Sequence, residues 1–279
     1  MPSVTVNGIE LAYALQGDGE PLLLLPGLGT GMGYYSLGEP LLRRDYQTLL
    51  VDPRGIGGSA SGDRVFSADQ WADDFAALAA GLGISRLHVL GSSHGGCMAM
   101  AMAERHPELV ASLVLVGGFS ELDTLMRMNF ELRIDLVDRL GMSAELGRFI
   151  AMWIMSHGYL ETPEGRAQSE RTIAMVQLND PEIYKALCRS ILDWGRALPG
   201  QEKEPTITSR LRNLRVPALA LSGDDDQFIP ARMSRIIADA LPGCAYAELP
   251  GCGHIPFMEQ PDEAARVVVD FLRRHPIGS

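Results

Sequence analysis

Short apolar runs alternate with longer amphipathic stretches through the first 119 residues of the chain. Four such runs lie at 22–25, 48–51, 87–90 and 113–116. Runs of this length without polar alternation are typical of strands that are covered on both faces of a parallel sheet. The stretches 34–44 and 69–82 read instead as helices, the second with its apolar residues at helical spacing before closing glycines. The pattern therefore predicts an α/β fold with a mostly parallel sheet and helices on both faces.

The alternation stops near residue 120 and resumes after residue 205. Between these points no strand is predicted, and amphipathic helices are expected at 126–140, 145–156, 164–178 and 181–196. Strands are expected again at 216–221 and 245–249, and helices at 231–241 and 264–272. At the N-terminus, the extended runs 4–6 and 11–14 flank Asn7-Gly8 and predict a hairpin. We predict a core domain of residues 1–119 and 206–279. We expect residues 120–205 to form a helical cap over the strand ends, with 201–205 as its return linker.

Composition and charge narrow the expected partners. The chain has 279 residues, 46% of them hydrophobic, and a formal net charge of −11. Binding to nucleic acid or to an anionic membrane requires a basic protein surface, so neither is expected as a partner of this acidic chain. The start of the chain shows no signal peptide or membrane-spanning run, and the four cysteines form no C-x-x-C pair, which favours reduced thiols and a cytoplasmic location. A small molecule is the expected partner, and a homodimer is left open.

The run 87–90 leads directly into Gly91-Ser92-Ser93-His94-Gly95. A strand, a Gly-x-Ser-x-Gly turn and a helix together lift a serine hydroxyl above the strand ends. Glycine is needed at positions 91 and 95 because a Cβ there would collide with the neighbouring strand or helix. Only Ser93 has glycines two residues away on both sides, so it is favoured over Ser92 as the nucleophile.

A second glycine-rich loop, 26–31, follows the strand 22–25. Such loops turn backbone N–H groups towards ligands, and phosphate binding is the rival interpretation. The loop lacks the Gly-Lys-Ser/Thr ending of a P-loop and the G-x-G-x-x-G register of a dinucleotide site. We therefore expect no nucleotide here, and neither a cofactor nor a metal elsewhere.

Two later strand-end loops carry an acid and a base, Asp226 and His254. A serine becomes a useful nucleophile when an imidazole takes its proton and a carboxylate holds the far ring nitrogen. Because the carboxyl ends of parallel strands meet at one edge of the sheet, Ser93, Asp226 and His254 should converge. Asp224 and Asp225 are adjacent alternatives for the acid, and Asp123 after the sixth strand is a third.

These motifs, taken in order, resemble the α/β-hydrolase fold superfamily, in the branch with a serine nucleophile and a helical cap between strands six and seven. The resemblance runs from about Gly8 to Phe271. It rests on Gly27-Leu28-Gly29, Asp52-x-Arg54-Gly55-x-Gly57-x-Ser59, Gly91-x-Ser93-x-Gly95, Gly223-x-x-Asp226-x-x-x-Pro230 and Gly251-x-Gly253-His254 followed by Glu259 and Pro261.

The resemblance implies an eight-stranded sheet and a role for each matching residue. Ser93 would be the nucleophile, Asp226 the acid and His254 the base. The backbone N–H groups of Leu28 and His94 would form the oxyanion hole. Many relatives have His-Gly where this chain has Pro26-Gly27, which puts the support of that loop in question.

Other candidate residues have structural or functional interpretations. In the cap, Trp153, His157, Tyr159 and Trp194 are expected to line an apolar substrate pocket, although packing between helices would also explain the aromatic residues. Arg54 is expected to brace loops, and the side chain of His94 either lines the pocket or is inert. His88, His106 and His275 are expected to be structural or solvated, and Cys252, two residues before His254, is a candidate to line the site.

The expected activity is hydrolysis of a carboxylic ester or lactone of a small, fairly apolar molecule through an acyl-enzyme on Ser93. The closing motifs resemble those of enol-lactone and aminoacrylate-type hydrolases. The alternatives are hydrolysis of a C–C bond, and the non-hydrolytic reactions of cofactor-free haloperoxidases, lyases and dioxygenases. A binding module without catalysis is a third class, which the complete triad argues against. Because the elbow residue is serine, epoxide hydrolase and dehalogenase activities are not expected.

Overall fold

Eight strands form a single sheet in the computed structural model, which describes residues 1–194 and 206–278. The strands are β1 (Ser3–Val6), β2 (Ile9–Gln16), β3 (Glu20–Leu25), β4 (Tyr46–Val51), β5 (Leu87–Ser92), β6 (Val110–Val116), β7 (Ala218–Gly223) and β8 (Ala245–Leu249). Their order is β1-β2-β4-β3-β5-β6-β7-β8. β2 is antiparallel to β1 and β4, and every other pairing is parallel. The predicted fold class, including the N-terminal hairpin, is confirmed.

Successive residues of the central strands pack into two separate cores, one on each face of the sheet. Leu23 and Leu25 belong to one core, and Leu22 and Leu24 to the other. The first core is covered by α2 (Ala68–Gly81), α3 (His94–Arg105) and α10 (Ala231–Ala240), and the second by α1 (Glu39–Leu42) and α12 (Pro261–Leu272). Each fully buried leucine contributes about 1.5–3 kcal/mol, which makes these apolar runs the main stabilising feature of the core.

Five of the described helices follow β6 and lie between residues 120 and 194. They are α4 (Thr124–Leu140), α5 (Ala144–Ile154), α6 (His157–Leu160), α7 (Pro163–Gln177) and α8 (Pro181–Trp194). Four of them begin after a side chain that accepts a hydrogen bond from the backbone N–H three residues later: Asp123, Ser143, Ser156 and Thr162. These N-caps set the helix starts. The predicted linker 201–205 and the end of the predicted helix 181–196 lie outside the described residues.

The predicted helix at 34–44 is wrong in extent. A 3₁₀ helix covers Met32–Tyr35, and α1 begins only at Glu39. Pro40 explains the break, because a residue without an N–H is tolerated only in the first turn of a helix. Gly38 precedes α1, and a Cβ there would lie 2.4 Å from the ring of Phe257.

Two short helices, α9 (Ile207–Leu211) and α11 (Pro256–Glu259), complete the described elements. No helix within residues 1–194 and 206–278 combines the length and apolar character that crossing a bilayer requires.

Candidate active site

Ser93 lies in a strained turn between β5 and α3. Its φ is +55°, in the left-handed region that ordinary residues avoid. A Cβ at Gly95 would lie 2.2 Å from the carbonyl oxygen of Leu25, and one at Gly91 would lie 2.2 Å from the carbonyl oxygen of Gly95. The collisions predicted at both glycines are therefore real, and the turn between them places Ser93 in the cavity wall.

Asp226 and His254 form a buried hydrogen-bonded pair. His254 Nδ1 lies 2.7 Å from Asp226 Oδ2. The other carboxylate oxygen, Oδ1, accepts the backbone N–H groups of Phe228 and Ile229 at 2.9 and 2.8 Å. With three donors around it and both side chains buried, the carboxylate holds the imidazole in one orientation.

The other acidic candidates do not contact His254. Asp224 accepts a loop N–H at 2.6 Å, and Asp225 accepts a glutamine side chain at 2.8 Å. Asp123 caps α4 at 2.7 Å and pairs with an arginine of α10. Of these four carboxylates, the described contacts bring only Asp226 to the imidazole.

Ser93, His254 and Leu28 line one cavity. His254 Nε2, the ring nitrogen turned away from Asp226, is buried and has no hydrogen-bond partner among the described residues. The N–H groups of Leu28 and His94 donate no hydrogen bond within residues 1–194 and 206–278. A free imidazole nitrogen, a serine and two free amides therefore border or approach the same space.

The loop after β3 is supported without the histidine that many relatives carry before Gly27. The hydroxyl of Tyr35 donates to the carbonyl oxygen of Leu25 at 2.9 Å, and that of Thr30 donates to Gly27 at 2.8 Å. These bonds flank Pro26 on both sides, so the loop keeps its shape where the sequence departs from the common pattern.

The loop that follows β4 is structural. Arg54 makes two hydrogen bonds to Asp74 of α2, at 2.8 and 2.9 Å, and the bond to Asp74 raises the pKa of Arg54. Asp52 accepts the backbone N–H groups of Met32 and Gly58 at 2.8 and 2.9 Å. The motif therefore ties the glycine-rich loop 26–31 to the core, and the bracing role expected for Arg54 matches these contacts.

The cavity lies between the strand ends and the cap, and its volume is about 80 Å³. Its walls from the core include Gly27, Leu28, Tyr34, Ser93, Phe228 and His254, and its walls from the cap include Phe130, Arg133, Ile150, Ile154, Met175 and Tyr184. An engineered protein cavity of about 150 Å³ holds benzene, so this one suits a small group in the present conformation.

None of the four predicted pocket residues lines this cavity. Trp153 packs beside another aromatic residue of α5, the hydroxyl of Tyr159 donates to a main-chain carbonyl at 3.1 Å, and His157 is exposed. Trp194 packs at the edge of the larger core. The cap does supply apolar walls, but through other faces of the same helices. In α5 the cavity face carries Ile150 and Ile154 instead.

The remaining candidates lie away from the cavity. The ring of His94 packs edge-on to Trp71, and burial lowers its pKa to about 3, so the imidazole stays neutral. His88 is held by a serine at 2.7 Å inside the sheet, and His106 pairs with an aspartate at 2.8 Å. Cys252 is buried in the second core.

Arg133 was missed by the sequence reasoning. It is 3% exposed, lines the cavity, and keeps its Nη2 without a hydrogen-bond partner. A signal was present, because the buried stripe of α4 runs through Met126, Asn129, Phe130, Arg133 and Val137. An arginine on a mostly apolar buried face is unusual enough to mark a site.

Comparison with known proteins settles the family. The α/β hydrolase fold family matches residues 20–261. The chain is a member of this family. "Putative carbamate hydrolase RutD" of Pantoea ananatis (strain LMG 20103) is 27% identical over 266 residues, covering 94% of this chain and 92% of that protein.

Two further members of the α/β hydrolase fold family are similar over most of their length. "Putative non-heme bromoperoxidase BpoC" of Mycobacterium tuberculosis (strain CDC 1551 / Oshkosh) is 28% identical, covering 95% of this chain and 98% of that protein. The crystal structure of the enol-lactonase from Burkholderia xenovorans LB400 has a TM-score of 0.86 at 25% identity, covering 98% of this chain and all of that one (100%). Members with this fold carry differently named activities, so the family supports a hydrolase-type enzyme and leaves the bond to be argued from the site.

Proposed function

We propose that this protein is a serine hydrolase that cleaves a carboxylic ester or lactone of a small molecule. The observation that carries the proposal is the 2.7 Å hydrogen bond between Asp226 and His254, which share a site with Ser93 in its strained turn. The enol-lactonase neighbour adds support for the bond type.

The reaction would begin with attack of Ser93 Oγ on the substrate carbonyl carbon. His254 Nε2 takes the hydroxyl proton, and Asp226 stabilises the imidazolium that forms. Proton transfer of this kind contributes about 10²–10⁴-fold to the rate. The hydroxyl and Nε2 are not hydrogen-bonded in this conformation, and we expect a rotation about the serine Cα–Cβ bond to join them when substrate binds.

The backbone N–H groups of Leu28 and His94 would donate hydrogen bonds to the negative charge that develops on the carbonyl oxygen. Removing one such donor typically costs about 2.7–4 kcal/mol in the transition state. His254 then gives its proton to the leaving alcohol and activates a water molecule. That water breaks the acyl–serine bond, releases the acid and restores Ser93.

Covalent labelling tests the proposal. The wild type, Ser93→Ala and the adjacent Ser92→Ala are treated with a fluorophosphonate probe and assayed with 4-nitrophenyl acetate and butyrate. We expect Ser93→Ala to lose labelling and at least about 10³-fold in kcat. Ser92→Ala, whose hydroxyl contacts Tyr34 at 2.6 Å, should keep its labelling.

Labelling or turnover that survives Ser93→Ala would overturn the proposal. Metal-independent oxygen uptake with an aromatic substrate would then favour the dioxygenase alternative.

A further inference from the structure

We infer that the substrate carries an ionised carboxylate in addition to its reacting carbonyl group, and that Arg133 of the cap binds this carboxylate. The inference rests on the proposed hydrolase function and names the substrate class of the same site. It refines the expectation of a small, fairly apolar molecule.

No carboxylate of residues 1–194 or 206–278 balances the charge of Arg133. The residue is 3% exposed, and within residues 1–194 and 206–278 no carboxylate lies within ion-pair distance of its guanidinium. Guanidinium groups stay protonated in proteins. A buried charge is costly unless it is paired, so an arginine in the cavity wall without a carboxylate among the described residues indicates an anion that arrives with the ligand.

The geometry leaves one edge of the guanidinium free. Nε donates to Asn129 Oδ1 at 2.8 Å, and Nη1 reaches the hydroxyl of Tyr184 only at 3.5 Å, the outer limit of a hydrogen bond. Nη2 has no partner among the described residues. The Nη1–Nη2 edge can therefore take both oxygens of a carboxylate, the bidentate arrangement that arginine favours.

Two aromatic rings hold the guanidinium in place. Its carbon lies 4.6 Å from the ring centre of Phe228 and 5.4 Å from that of Phe130. Such stacking stabilises the cation. It does not satisfy an N–H donor, so packing alone leaves Nη2 unexplained.

Phe228 also fixes where the carboxylate would lie relative to the chemistry. Its ring contacts Arg133 on one side and packs edge-on to His254 at 5.2 Å. The anchor and the base are thus one side chain apart. This separation favours an acyl group derived from a short dicarboxylic acid, bound as its monoester or lactone.

Matched substrates test the inference. Monomethyl succinate, glutarate and adipate are each compared with the methyl ester of the corresponding monoamide, which has the same shape without the charge. Hydrogen bonds to charged groups predict that the wild type prefers the acid by about 10- to 100-fold in kcat/KM at one chain length or more.

Arg133→Gln should remove this preference, chiefly by raising KM for the acids, so that each acid and its matched amide ester are hydrolysed with similar kcat/KM. The control is Arg139→Gln, an exposed arginine of the same helix, which should keep the preference. Arg133→Met is measured in parallel and circular dichroism checks the fold, so that misfolding of one variant does not decide the outcome. Absence of a preference in the wild type, or an equal loss on both esters in Arg133→Gln, would overturn the inference.

A binding measurement separates this inference from the proposed function. Calorimetry with Ser93→Ala and Ser93→Ala/Arg133→Gln uses the same acid and amide pairs. If hydrolysis proves independent of Ser93 but the acids bind selectively and lose binding with Arg133→Gln, the proposed function fails and the carboxylate site stands. If neither protein distinguishes acid from amide, the carboxylate site is wrong whatever the labelling shows.

Discussion

Ser156 and Glu259 join the cap to the loop that carries His254. The backbone N–H of Ser156 donates to Glu259 Oε1 at 3.0 Å, and its hydroxyl donates to Oε2 at 2.6 Å. Glu259 Oε2 also accepts the N–H of Gly253 at 3.0 Å, and His254 itself donates its N–H to Ile154 at 2.9 Å. The base is thereby positioned by contacts with both the core and the cap.

Removal of the Ser156 hydroxyl should loosen this connection. Ser156→Ala loses a hydrogen bond to a partly buried carboxylate and the N-cap of α6, whose first-turn N–H it accepts at 3.2 Å. We expect the free energy of unfolding to fall by about 2–4 kcal/mol in urea denaturation, with a higher KM for esters.

Ser67→Ala is the matched control, because Ser67 only caps α2 in the core. Ser67→Ala should lower the free energy of unfolding by about 1 kcal/mol and leave KM unchanged. Equal effects of the two variants would show that the contact with Glu259 adds nothing.

Asp226→Asn should damage catalysis more than stability. The amide cannot hold the same imidazole tautomer or stabilise the imidazolium, so we expect kcat for 4-nitrophenyl acetate to fall by about 10³–10⁴-fold. Asp225→Asn changes the adjacent carboxylate, which contacts only a glutamine side chain in the described set, and should stay within about threefold of wild type. A larger loss of kcat in Asp225→Asn than in Asp226→Asn would identify Asp225 as the catalytic acid.

Two glycine substitutions should have opposite effects. Gly95→Ala puts a Cβ 2.2 Å from a backbone oxygen of β3, so we expect a loss of about 3 kcal/mol or more, or no soluble protein. Gly158→Ala in α6 meets nothing within 4 Å and should stabilise by about 0.5–1 kcal/mol. Chemical denaturation measures both, and a Gly95→Ala protein of wild-type stability would contradict the packing of the turn.

Stability should fall in mild acid because of His94. Burial lowers its pKa to about 3 in the folded protein, whereas the unfolded chain takes up the proton near pH 6.5. Below pH 6.5 the unfolded state therefore binds more protons, and this residue alone removes about 1.4 kcal/mol per pH unit until about pH 3.

The measurement is the difference in unfolding free energy between wild type and His94→Gln from pH 7 to pH 5. That difference should shrink as the pH falls, because the variant lacks the titrating ring. A difference that stays constant from pH 7 to pH 5 would refute the assigned burial effect.

Much of the fold could be predicted because its signals are local. Runs such as 87–90 are short and lack polar alternation, which favours a strand covered on both faces, and Gly91 and Gly95 mark a turn that excludes a Cβ. The prediction failed where several weak signals competed, as at 34–44, where the restriction imposed by Pro40 outweighed the apolar spacing.

The sequence by itself determined the sheet and the candidates Ser93, Asp226 and His254, because strand ends bring their loops to one edge whatever the side chains between them. The spacing to Pro230 favoured Asp226 over Asp224 and Asp225, and of these three Asp226 is the one that contacts His254, at 2.7 Å. The cavity wall was decided by tertiary structure alone. Which face of α4 or α5 meets the strand ends depends on how the helices pack, and that packing selected Arg133 and Ile154 over Trp153.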